Sequence, residues 1–156
     1  MNNLDQALSR EDRSSLQRAL TTVRELMTTE LVTLRPDQLL GEAMTLFSAR
    51  QFRHILVTDG DRLAGVISDR DILRAYARGG GAAHGSVSSI MTKNSITILP
   101  DASVTDATRL MTQHRINCLP VVSKDGQVQG ILTTTDLMQA LYAVQIWLER
   151  RLSSLS

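Results

Sequence analysis

The chain has 156 residues, with 17 Lys plus Arg against 16 Asp plus Glu and a hydrophobic share of 42%, so wholesale disorder is excluded and its formal net charge is +1. That balance leaves no broad electrostatic footprint for nucleic acid or an anionic membrane, and no apolar run approaches the roughly 20 residues that cross a bilayer. The polar start MNNLDQALSREDRSSLQ lacks a secretory pattern and the lone Cys118 can form no internal disulfide, so a soluble cytoplasmic chain is expected.

Residues 1–22 read as a helical extension, because Leu16, Leu20, Val23 and Met27 form a helical stripe and Ser9 and Asp12 stand at capping-box spacing. From there the chain repeats. Met27-Thr28 matches Met91-Thr92, Thr33 matches Thr97, Pro36 matches Pro100, Ala43 matches Ala107 and Val57 matches Val121, all 64 residues apart. One extra residue in the second copy's turn shifts the offset to 65, so Gly65 pairs with Gly130, Ser68 with Thr133 and Asp71 with Asp136.

Each copy opens with a β-branched stretch, Leu31 to Leu34 or Ile96 to Leu99, closed by Pro-Asp. A helix follows, with Leu39, Ala43, Leu46 and Phe47, or Val104, Ala107, Leu110 and Met111, on its inward face. Two apolar strands come next, Ile55 to Thr58 and Leu63 to Ile67, joined by Asp59-Gly60-Asp61 as an antiparallel hairpin. The second copy does the same around Lys124-Asp125-Gly126. A second helix then starts near Ser68 or Thr133, carrying Ile72, Leu73 and Ala75, or Leu137, Met138 and Leu141.

The unit is β-α-β-β-α, and the class is α+β. The repeats are assigned to residues 23–78 and 87–141, with a Gly-rich linker at 79–86 and a C-terminal helix extension at 142–156. A unit of about 55 residues buries little surface alone, so the copies are expected to share one core. Leu137, Leu141, Val144, Leu148 and Leu152, broadened by Ile146 and Trp147, form a long apolar stripe that predicts a homodimer.

Ser68 with Asp71, and Thr133 with Asp136, stand at strand-to-helix turns, where the spacing fits a helix cap and a ligand contact alike. A hydroxyl and free N–H groups there can meet a phosphate, whereas Asp suits ribose hydroxyls. Gly65 and Gly130 permit close backbone approach. His54, His84 and His114 have no metal-ligand spacing, Cys118 reads as a small buried apolar residue, and Gly79 to His84 fails the dinucleotide-loop pattern. With neither a phosphate-binding lysine loop nor a nucleophile elbow, the chain reads as no enzyme and as needing no cofactor.

Met27-Thr28 and Met91-Thr92, Cys118-Leu119-Pro120-Val121-Val122, and the segments Gly65 to Asp71 and Gly130 to Asp136 together resemble a tandem pair of CBS domains, a Bateman module. The resemblance implies a pseudo-twofold arrangement with two clefts, pairing of modules, and an adenine nucleotide or other adenosyl ligand such as ATP, ADP, AMP or S-adenosylmethionine. It implies a regulatory role toward a separate partner protein; the alternative is a scaffold with relic clefts. Leu56 departs from the family pattern, standing where the second copy has Pro120.

By the same resemblance each cleft is built across the repeats. The first would use Gly65, Ser68 and Asp71 with Met91, Thr92, Ile116 and Asn117, and Arg53, His54 and Arg70 as candidate phosphate-contacting cations. The second would use Gly130, Thr133 and Asp136 with Met27, Thr28, Phe52 and Arg53. Because Asn117 and Cys118 replace Arg53 and His54 in the second copy, the first cleft is expected to favour a phosphorylated ligand and the second to bind phosphate weakly or stay empty.

Overall fold

The computed structural model describes residues 22–50, 52–79 and 82–153. The helical stripe expected from Leu16 lies outside the described residues up to position 21. Beyond it, α1 (Val23–Leu26) is a single turn that Met27 leaves in extended conformation.

Copy one supplies β1 (Thr33–Leu34), α2 (Leu40–Ala49), β2 (His54–Asp59), β3 (Arg62–Ser68) and α3 (Asp69–Ala77). Two short 3-10 turns, Ala82–His84 and Val87–Ser89, carry the chain onward. Copy two supplies α4 (Val104–His114), β4 (Cys118–Val122), β5 (Val128–Thr133) and α5 (Thr134–Ser153). The first sheet runs β1-β2-β3, with β1 parallel and β3 antiparallel to β2, and the second is the antiparallel pair β4-β5. Gly60 and Gly126 turn the hairpins at φ 57° and 81°, in the left-handed region that glycine enters without a Cβ penalty.

Both opening strands are shorter than their β-branched runs suggest. Leu31 to Leu34 yields two paired residues, and Ile96 to Leu99 yields one parallel bridge, Ile98 to Val121. The difference between copies has a physical cause. Leu56 pairs with Thr33 inside β2, whereas Pro120 has no N–H to donate, so the second ladder stops at Ile98. Leu56 therefore continues its strand and lies buried.

Leu39 is the N-cap of α2 and 43% exposed, so it does not face inward; Leu40, the counterpart of Val104, is buried instead. Leu73 at 59% and Met138 at 63% are exposed on their helices as well. The boundary expected between residues 141 and 142 falls inside α5, which runs unbroken for 20 residues.

The interior is organised as two exchanged cores rather than one shared core. Val87, from the second copy's opening segment, is buried among Leu34, Leu40, Ala43, Ile55, Val57, Ile67 and Ile72 of the first. Val23, from the first copy's opening, is buried among Ile98, Ala107, Met111, Leu119, Val121 and Leu132 of the second. Backbone bonds hold each crossing: Val23 and Arg24 donate to the carbonyls of Ala102 and Pro100, while Val87 and Ser88 donate to those of Gln38 and Pro36. Leu56, Val66, Cys118 and Ile131 form a third buried cluster joining the two hairpins.

Candidate functional site

The exchange carries each Met-Thr opener onto the other copy's hairpin. Thr92 and Val66 trade backbone hydrogen bonds of 2.8 and 3.0 Å, and Thr28 and Ile131 trade bonds of 2.9 and 3.0 Å. Each crossing is so close that the adjoining strand position has no room for a Cβ. One built on Gly65 would lie 2.7 Å from the Thr92 carbonyl oxygen, and one on Gly130 would lie 2.9 Å from that of Thr28. Met91 and Met27 close the same gaps from the side, with sulfurs 3.0 and 2.9 Å from those Cβ positions.

Above each crossing a strand turns into a helix whose first N–H groups are unpaired within the helix. At α3, Ser68 Oγ and N–H donate to Asp71 Oδ2 at 2.6 and 2.9 Å. At α5, Thr133 Oγ1 and N–H donate to Asp136 Oδ2 at 2.7 and 2.6 Å. The capping role is thus realised in both copies. It uses one carboxylate oxygen of each Asp; the Oδ1 of Asp71 lies 3.9 Å from the Arg74 guanidinium.

Two cavities open over these turns. The first, about 290 Å³, is lined by His54, Ser68, Arg70 and Asp71 from copy one and Thr92, Ile116 and Asn117 from copy two. The second, about 440 Å³, is lined by Thr28, Phe52 and Arg53 from copy one and Thr133 and Asp136 from copy two. Both volumes are of the order of small-molecule sites. Of the residues singled out from sequence, Gly65 and Met91 do not line the first cavity, nor Gly130 and Met27 the second, because they are consumed in the crossings beneath. Arg53 reaches only the second cavity, with its Nε 3.8 Å from Asp69.

His54, Arg70 and Asn117 line both cavities, forming a shared wall. Burial pushes His54 below the ordinary imidazole range; Asp69 opposes the shift, and Arg70 and Arg53 add to it. Cys118 also lines the first cavity, and burial pushes its thiol up to about 12 and keeps it protonated at neutral pH.

Sequence reasoning missed Asn94, Ser95 and Arg115 in the first cavity and Glu30, Thr134 and Thr135 in the second. Part of the signal was present. Glu30 and Asn94 are 64 residues apart, each two positions after a Met-Thr opener, and so occupy equivalent places. Among the described residues, no group of three or more His, Cys, Asp or Glu side chains could hold a metal ion, and no helix is long and apolar enough to cross a membrane.

Comparison with known proteins gives the same architecture. The CBS domain family model matches residues 23–78 and 87–143. The CBS domain-containing protein YhcV of Bacillus subtilis (strain 168) is 33% identical over 118 residues, 76% of this chain and 84% of that one. Three further curated relatives, an inosine-5'-monophosphate dehydrogenase, a homoserine O-acetyltransferase and an L-aspartate semialdehyde sulfurtransferase, are longer, and the chain spans about a quarter of their length. CBSX2, solved in complex with AMP, superimposes with a TM-score of 0.72 at 27% identity, over 80% of this chain and 98% of that one. The CBS domain pair of protein MJ0100, solved with 5'-methylthioadenosine and S-adenosyl-L-methionine, gives a TM-score of 0.72 at 26% identity, over 81% and 98%. Two matched family segments, joined by exchanged openers around two clefts, place this chain in the CBS-domain family as a tandem CBS pair.

Proposed function

We propose that the chain is a non-catalytic regulatory module that binds an adenosyl ligand between its repeats and signals occupancy to a separate protein. The observation that carries this is the composition of the cavity walls: each combines a helix N-terminus of one copy with the Met-Thr segment of the other. A ligand shifts a conformational equilibrium only by binding two arrangements unequally. One that touches both copies does so whenever their relative position changes. The adenosyl ligands of CBSX2 and MJ0100 support the ligand class.

Thermal unfolding against ATP, ADP, AMP, S-adenosylmethionine, NAD and GTP tests the proposal. A ligand at a hundredfold excess over its dissociation constant adds about 2.7 kcal/mol, which raises the midpoint of a chain this size by roughly 5–10 °C. One or more adenosyl compounds should do so, and GTP should not. Asp71→Ala should abolish the rise for a ligand of the first cleft and itself cost about 1 kcal/mol through the lost cap. No shift with any compound at millimolar concentration would favour the scaffold reading.

The exposed side chains Met138, Leu141, Tyr142 and Leu152 on α5, with Leu73 on α3, support self-association. Light scattering at micromolar concentration is expected to give twice the chain mass, and Leu141→Lys with Met138→Lys should return it to the monomer. A monomeric unmodified chain would refute the dimer.

A further inference from the structure

Resting on the regulatory reading above, we propose that the two clefts divide adenosyl ligands by charge: the first takes a phosphate-bearing adenosine and the second a phosphate-free thioether or sulfonium. The walls differ in sign. The first cleft sets Arg70 and Arg115 against a single carboxylate, Asp71. The second sets Arg53 and Arg70 against three, Glu30, Asp69 and Asp136. Arg53 is already drawn to Asp69, and Asp136 is tied into its cap.

The cation most able to help a phosphate in the second cleft is not free to do so. Arg70 belongs to the wall the two cavities share, so a phosphate in the first cleft competes for it with any phosphate in the second. Glu30 then faces a second anion with no counterpart in the first cleft, where the equivalent residue is the uncharged Asn94. The first cleft also holds both of the described non-glycine residues with positive φ, Asn94 at 52° and Arg115 at 54°. Arg115 takes this conformation as the C-cap of α4, its N–H donating to the carbonyls of Met111 and Thr112. Arg115, a cation that lines the first cavity and not the second, is the specificity residue of the phosphate cleft, and Glu30, a carboxylate that lines the second and not the first, is that of the phosphate-free one.

Isothermal titration of the full chain with AMP and 5'-methylthioadenosine tests this. One AMP should bind per chain, and the AMP-saturated protein should still take up one 5'-methylthioadenosine. Arg115→Gln should weaken AMP about tenfold and leave that uptake unchanged; Asp136→Ala should remove the uptake and leave AMP in place. Glu30→Gln, which keeps shape and removes charge, should let a second AMP bind, about tenfold tighter than to the unmodified chain. Two AMP of similar affinity per unmodified chain, or an AMP-saturated protein that takes up no 5'-methylthioadenosine, overturns the division by charge while leaving the module a nucleotide binder. Failure of both ligands to bind at millimolar concentration overturns the regulatory reading along with it.

Discussion

Gly65→Ala and Gly130→Ala are each expected to destabilise the protein by about 2–3 kcal/mol, although alanine is ordinarily no worse than glycine in a strand. The loss comes from the crossing. A methyl at Gly65 would stand 2.7 Å from a backbone oxygen, which cannot swing aside as a side chain can. Either β3 retreats or the Thr92 segment lifts, and the paired bonds between Val66 and Thr92 stretch in both cases. The same holds for Gly130 against Thr28 and Ile131. Gly41 provides the control: a Cβ there meets its nearest neighbour, the Ala83 carbonyl oxygen, at an ordinary 3.5 Å, so Gly41→Ala should be neutral or slightly stabilising. Urea unfolding of the three variants decides the matter. Equal stabilities would show that the openers give way without cost.

These glycines also mark how far the sequence could be read. The repeat, the hairpins and the strand-to-helix turns were legible because turn residues and alternation act locally. Asp59-Gly60-Asp61 ends one strand whatever lies around it, and Ser68 caps α3 with Asp71 three residues away. The exchange of openers was not legible as packing. Val23 and Val87 align with each other, and a 64-residue offset cannot say whether each valine enters its own copy's core or its neighbour's. The inward residue of α2 was misplaced by one, since Leu39 and Leu40 are both leucines and only the alignment of Leu40 with Val104 separates them. Pro120 against Leu56 signalled a difference between copies, but its consequence depended on a partner strand far away in sequence. In the clefts, the polar turn residues were found by motif. Glu30 and Arg115 were not, because each lies just outside the motif that marks its segment, two residues after Met27-Thr28 and one before Ile116-Asn117, and neither residue type signals a turn or cap of its own.

The exchange itself predicts where a core mutation will be felt. Val87→Ala is expected to cost about 2–3 kcal/mol, the transfer energy of two buried methyl-sized groups plus the cavity they leave. Its damage should appear in copy one. In native-state hydrogen exchange, amides of β2 and β3 around Val57 and Ile67 should lose protection before those of β4 and β5, because Val87 packs on the first sheet's core. Val23→Ala should show the reverse, opening the hairpin around Leu119 and Leu132 although the altered residue belongs to the first copy. Each substitution removes the same atoms from a fully buried site, so comparing the two isolates connectivity from chemistry. Protection lost first within the mutated residue's own copy would mean that the openers do not cross. Protection lost evenly would mean that the Leu56, Val66, Cys118 and Ile131 cluster couples the two cores into one cooperative unit. The pattern bears on the regulatory role proposed above: Thr92 and Ser68 line one cavity, and Thr92 lies on the same segment as Val87, so a ligand that touched both would act on the segment that enters the opposite copy's core.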